Sequence, residues 1–197
     1  ALGYGSVGGL GALGYMVYSG SKDTALSDTF KKAFSDEAHR LKTIADSCGY
    51  GAAMDEKSYC WGSNMNLMKH AMIFSIADKI CGERQFYDYA AQQLHVLLGL
   101  NALGFSYVSG AGENSMKNPH MRPTAADGID ECIPGLVSGG PNRYPSDEAA
   151  RKLIKNGTPP MKCYADDVGA YSLNEITIYW NSPAVFTAAY IIDNNEE

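Results

Sequence analysis

From Leu26 to Ala45 apolar residues recur at three- and four-residue spacings. Leu26, Phe30, Ala33, Phe34, Ala38, Leu41, Ile44 and Ala45 fall on one face, with Lys and Asp between them. That period predicts an amphipathic helix, which Gly49 stops. Ser63 and Asn64, both good N-caps, open a second helix through Leu67, Met68, Ala71, Met72 and Ile76 to Gly82. A third covers about Gln85 to Leu98, with Phe86, Ala90, Leu94 and Leu97 inward, and ends at Gly99. The last begins around Asn174 and runs through Phe186 to Ile192, with Pro183 predicting a kink or break. At the other end, Ser6 to Ser19 is rich in Gly and Ala around Leu10, Leu13, Tyr15, Met16 and Val17. Small residues allow close approach, so this segment reads as a buried helix despite the propensity cost of glycine.

Between Gly99 and Leu173 the helical period weakens and Gly, Pro and Asn crowd the chain, apart from a short helical piece from Ser146, a plausible N-cap, to Asn156. A long irregular segment in a compact domain is usually functional. No stretch alternates convincingly enough for a strand, and no repeat of 20–50 residues is present. The fold class is all-α, and 197 residues suffice for one domain with a substantial core.

Composition narrows the partners. Hydrophobic residues make up 45% and charged residues 19%, which is globular, and the net charge of -6 argues against nucleic acid. The adjacent basic pairs, Lys31-Lys32 and Arg151-Lys152, sit in helical patterns as solvated faces. Apolar runs are short and broken by glycine, so no membrane span is expected. No basic region precedes them, so the start does not read as an intact signal peptide. Five cysteines (Cys48, Cys60, Cys81, Cys132, Cys163) lack metal-ligand spacing, and a disulfide framework is not expected. The 13 tyrosines suit sugar rings, which present C–H patches and hydroxyls together, although most are expected to fill half-buried positions.

Two clusters carry the chemistry. One runs from Ser106-Tyr107-Val108-Ser109-Gly110 on to Pro119-His120-Met121-Arg122-Pro123, the other from Tyr164-Ala165-Asp166-Asp167 through Tyr171 and Asn174-Glu175 to Trp180-Asn181-Ser182. Singly, each has a plain structural explanation: a loop bonding its own backbone, or carboxylates at a helix start. Together they suggest acid catalysis. Glu175 is flanked by Tyr171, Leu173, Ile176 and Ile178, and a carboxyl in apolar surroundings favours its protonated form, as a general acid needs.

These residues resemble the C-terminal part of the catalytic domain of glycoside hydrolase family 9, the cellulase family with inverting endoglucanases. Gly112, Asn114, Pro119, His120 and Arg122 follow one family signature; Tyr164, Asp166, Tyr171, Glu175, Thr177, Asn181 and Ser182 follow the other. Tyr59-x-Trp61-Gly62-Ser63-Asn64, Leu98-Gly99-x-Asn101, Pro134-Gly135-Leu136 and Gly139-Gly140-Pro141-Asn142 support them. The resemblance implies the last part of an (α/α)6 barrel and hydrolysis of β-1,4-glucosidic bonds in cellulose, cello-oligosaccharides or other β-glucans. It implies Glu175 as general acid and His120 and Arg122 as partners of sugar hydroxyls. Asp166 would orient the site or hold structure near Glu175, Tyr171 would line it, and Trp180 would be a stacking platform. No cofactor is required; a structural calcium at Asp166 or Asp167 is an option, although the six to eight oxygens it needs are not visible. Enzymes that attack cellulose are secreted or held at the cell surface, and those for short cellodextrins can be periplasmic.

Two departures accompany the resemblance. Met121 stands where many relatives have a second histidine. The family's Asp-Ala-Gly-Asp motif, which carries the base, does not occur, and Asp23, Asp28 and Asp36 read as solvated charges. Inversion needs a base carboxylate roughly 6.5–9.5 Å from the acid. The chain is therefore expected to supply the acid half of a site whose N-terminal base half lies elsewhere. Endo action leads, exo-acting cellobiohydrolase or cellodextrinase is the runner-up, and a non-catalytic sugar-binding piece is the alternative of a different class.

Overall fold

The computed structural model describes residues 7–195. Helix α1 (Gly8–Val17) is followed by α2 (Thr24–Ser47), α3 (Ser63–Cys81) and α4 (Phe86–Leu97). The irregular stretch then carries three short helices, α5 (Arg122–Ala126), α6 (Glu148–Leu153) and α7 (Tyr171–Asn174), and α8 (Ile178–Asn195) closes the description. Among the described residues extended pairing is limited to isolated bridges, so the all-α expectation holds.

Helix α3 is the centre of the fold, packing against α2, α4 and α8. Neighbours on several sides explain why it buries Leu67, Met68, Ala71, Met72, Ile73, Phe74, Ile76 and Ala77 around most of its circumference, whereas α2 shows a single apolar stripe. Two clusters result. Phe34, Leu41, Phe74, Phe86 and Tyr190 join α2, α3, α4 and α8. Leu67, Met68, Leu97, Tyr107, Tyr164, Leu173 and Trp180 join α3 and α4 to the irregular stretch, and this second cluster supports the candidate site.

Several boundaries differ from the sequence reading. Ser6 lies outside the described residues, and α1 is not a buried helix: Met16 is buried, but Leu10 and Val17 are exposed, because the helix packs along one side only, against α2. Ser63 and Asn64 are not the caps of α3; Gly62, in the left-handed region at φ 78°, is, and Asn64 turns its amide to the Ser138 carbonyl. Helix α6 is capped by Asp147 rather than Ser146 and stops at Leu153. The expected helix from Asn174 is interrupted at Glu175, which is extended (φ -62°, ψ 144°), and resumes at Ile178. Pro183 does not break α8.

A half-buried histidine ties α3 to the segment before it. His70 Nδ1 lies 2.7 Å from the Ala53 carbonyl, which only accepts, so that nitrogen carries the proton. Burial pulls the ring's pKa down from 6.5 to about 4, with the Ala53 contact opposing the shift. Above pH 6.5 the ring is neutral in both folded and unfolded chains and contributes no pH dependence. Between 6.5 and 4 the unfolded chain takes up a proton that the folded chain refuses, so stability falls as pH falls. Urea midpoints measured from pH 7 to pH 4.5 are expected to decline less steeply for His70→Gln than for the wild type; equal slopes would rule out this contribution.

Candidate active site

Glu175 sits in the short extended link between α7 and α8, with its backbone held on both sides. Its carbonyl accepts from Gly139 N at 3.0 Å and from the Trp180 indole at 3.0 Å, and its N–H bonds back to the Tyr171 carbonyl. A bridge pairs its residue with His120, whose N–H bonds to the Asn174 carbonyl at 2.9 Å. Among the described residues the carboxylate itself accepts a hydrogen bond from Trp61, Nε1 to Oε2 at 3.1 Å. The apolar pocket expected from flanking residues does not form as such, since Ile178 is 77% exposed. Aromatic edges take its place: Tyr171 lies 5.6 Å from the Trp61 ring and 5.6 Å from the His120 ring, centroid to centroid.

His120 is fixed by a second contact, Nδ1 to the Val168 carbonyl at 2.7 Å. A carbonyl can only accept, so Nδ1 carries the proton, and in the neutral ring Nε2 remains an acceptor. Arg122 begins α5 two residues on, exposed and without a hydrogen bond or ion pair among the described residues. Its guanidinium donors are thus uncommitted among the described residues.

Asp166 has a different role from an acid or base. Its oxygens accept from Lys117 N (2.8 Å), Asn118 N (2.9 Å), Asn118 Nδ2 (3.2 Å) and Asn174 Nδ2 (2.9 Å). It staples the backbone that leads into His120 and Arg122 to the segment that carries Glu175. Asn174 completes the staple by accepting from the buried Tyr164 hydroxyl and donating to the Asn118 carbonyl. The set also fails as a calcium site. Calcium wants six to eight oxygens, yet the Asp166 carboxylate is engaged by N–H donors and Asp167 Oδ1 accepts from Gly169 N. Among the described residues no group of three or more His, Cys, Asp or Glu side chains could hold a metal ion.

The expected stacking platform is corrected. Trp180 is 6% exposed and lies in the core cluster, so its face is not available to a sugar; its indole N–H holds the Glu175 carbonyl instead. The exposed tryptophan at the site is Trp61, 42% exposed, which the sequence reading did not single out. The signal was there in the Tyr59-x-Trp61-Gly62-Ser63-Asn64 motif. Gly62 explains part of that motif: it adopts φ +78°, and a Cβ on it would come within 3.0 Å of the Trp180 ring. Gly140 is equally constrained, since at φ +92° a Cβ would lie 2.5 Å from the Asn64 side chain.

With that geometry in place, the profile of Glycosyl hydrolase family 9 matches residues 9–188. The chain belongs to glycosyl hydrolase family 9. It is 45% identical over 192 residues to a cellodextrinase of Butyrivibrio fibrisolvens, covering 98% of this chain and 35% of that protein. A cellulose 1,4-beta-cellobiosidase of Acetivibrio thermocellus is 36% identical over 143 residues, covering 71% and 16% respectively. A single-mutant thermostable endoglucanase from Alicyclobacillus acidocaldarius superposes with a TM-score of 0.80 at 36% identity, over 91% of this chain and 35% of that one. Solved family 9 relatives have an (α/α)6 barrel fold, which the helical architecture matches. The chain spans about a third of the length of the cellodextrinase.

The staple yields a direct test. Asp166→Ala leaves the Lys117 and Asn118 N–H groups without their acceptor and is expected to lower unfolding free energy by about 1–3 kcal/mol. Asp166→Asn keeps one acceptor and is expected to cost less. Urea denaturation of the three proteins checks the order.

Proposed function

We propose that the protein carrying this chain hydrolyses β-1,4-glucosidic bonds with inversion, acting on cellulose, cello-oligosaccharides or related β-glucans. The observation that carries the reading is Glu175, a carboxyl fixed through its backbone beside the aromatic edges of Trp61 and Tyr171 and the ring of His120. As general acid, Glu175 gives its proton to the glycosidic oxygen as the bond to the anomeric carbon breaks. A base carboxylate on the opposite face of the sugar, roughly 6.5–9.5 Å from the acid, takes a proton from the attacking water. That base comes from residues outside this chain, in an N-terminal part of the same domain.

His120 Nε2, free to accept in the neutral ring, and the Arg122 guanidinium, unpaired among the described residues, serve sugar hydroxyls near the cleavage point. Asp166 contributes as a positioning residue only. Action on a polymeric substrate, which cannot enter a cell, supports a site outside the cell or at its surface, with the periplasm as the alternative for short cellodextrins. The 45% identity to a cellodextrinase favours attack on short cello-oligosaccharides as the second reading. A rapid drop in viscosity of a long soluble glucan would favour endo action over it.

In the full polypeptide, Glu175→Gln removes the proton donor while keeping the side chain's shape. The expected loss of kcat on a cello-oligosaccharide is about 10²–10⁴-fold, with KM moving little. A rate within a few-fold of wild type would overturn the acid assignment.

A further inference from the structure

Among the described residues the carboxylate of Glu175 makes one side-chain hydrogen bond, and its donor comes from a different part of the chain. Trp61 Nε1 reaches Oε2 at 3.1 Å across 114 residues of sequence. The fold fixes that donor through a closed circuit of contacts. Trp180 donates its indole N–H to the Glu175 carbonyl. The same Trp180 ring packs against Gly62, where even a Cβ would be crowded at 3.0 Å. Gly62 adjoins Trp61 and, at φ 78°, caps α3. Trp61 then returns to the Glu175 carboxylate, and Tyr171 packs beside its ring at 5.6 Å. The two tryptophans thus hold one glutamate at both ends, one by its backbone and one by its side chain.

We infer that Trp61 is a positioning residue for the general acid: its indole N–H selects the Glu175 rotamer and decides which oxygen carries the transferable proton. An indole N–H only donates, and the carbonyl-type oxygen of a neutral carboxyl is the better acceptor, so Oε2 faces Trp61 unprotonated and the proton resides on Oε1. When Oε1 gives that proton to the leaving oxygen, the negative charge that develops is shared with Oε2. The bond from Trp61 then becomes charge-assisted and strengthens as the reaction proceeds. An interaction stronger in the transition state than in the ground state lowers the barrier rather than merely tightening binding. This role rests on the reading of Glu175 as the acid, and it is separate from any contact that the indole face makes with sugar.

The test compares leaving groups in the full polypeptide. Protonation matters greatly when a sugar hydroxyl leaves and little when 2,4-dinitrophenolate leaves. Trp61→Phe keeps an aromatic ring and deletes the N–H. It is expected to lower kcat on cellotetraose by about tenfold or more, the size of losing one charge-assisted hydrogen bond. The loss on 2,4-dinitrophenyl β-cellobioside is expected to be several-fold smaller. Both rates come from one preparation, so partial misfolding, which lowers them equally, cannot imitate the pattern. Gly62→Ala, which disturbs the same circuit through Trp180, is expected to show the same selectivity in weaker form.

A double-mutant cycle completes the test: in the Glu175→Gln background, Trp61→Phe should cost almost nothing further on cellotetraose. Equal losses on the two substrates, a change in KM alone, or additivity with Glu175→Gln would overturn the inference while leaving the acid assignment intact. If Glu175→Gln itself failed to discriminate between the leaving groups, the acid assignment would fall instead.

Discussion

Asn174 is the constraint on which the irregular half of this chain depends. It is 0% exposed, and every polar atom of its amide is used: the Tyr164 hydroxyl donates to it, while it donates to the Asn118 carbonyl and the Asp166 carboxylate. A long stretch without repeating structure cannot satisfy its backbone groups by a helical ladder, and buried orphans are costly. Side-chain amides take over that task along its length. Asn64 holds Ser138, Asn101 holds Val96 and Phe105, Asn142 holds Ser172, and Asn181 accepts from Val137 and donates to Thr177. An amide offers both donor and acceptor at one point, which suits it to joining two passing segments of backbone.

That network turns loops into a rigid mount. His120 and Glu175 lie far apart in sequence, yet Asp166 and Asn174 fasten both segments together and the residues pair through a backbone bridge. Acid catalysis depends on holding a proton donor within a fraction of an ångström of its target. The packed cluster beneath, with Tyr164, Leu173 and Trp180, resists the small shifts that would spoil such placement.

The sequence made the long helices legible because each has to bury a stripe at the helical period. Helices α2, α3 and α4 fall within a few residues of their expected bounds. Where periodicity was a poor guide, a contact distant in sequence had intervened. The helix expected from Asn174 stops at Glu175 because Gly139 N and the Trp180 indole claim the Glu175 carbonyl. Nothing local in residues 174–178 encodes Gly139. The two tryptophans show the same limit. Both are aromatic residues beside recognisable motifs, but which is buried follows from what packs upon it, and Trp180 lies beneath Gly62. The candidate site was legible by another route, since Glu175, His120 and Tyr171 stand at positions of the family signatures that the sequence resembles, and the structure brings them together.

The arrangement also bears on where a second carboxylate could come from. Asp166 is saturated by N–H donors, and Asp147 caps α6 while accepting from Ser172 N, so neither is free to take a proton from water. Asp23 caps α2 and Asp36 is paired with Lys32 on the exposed face of the same helix. Helix α2 contributes to the cluster around Phe34 and Phe86, whereas Glu175 is mounted on the cluster that contains Trp180 and Leu173. A base must face the acid across one sugar ring, with room for water between them. Carboxylates committed to caps, staples and surface ion pairs are stabilised as they stand, and recruiting one would break the contacts that build the mount. These four aspartates are thus spent on holding the fold, and the base that the proposed mechanism needs has to be a carboxylate whose hydrogen bonds are not already committed in this way.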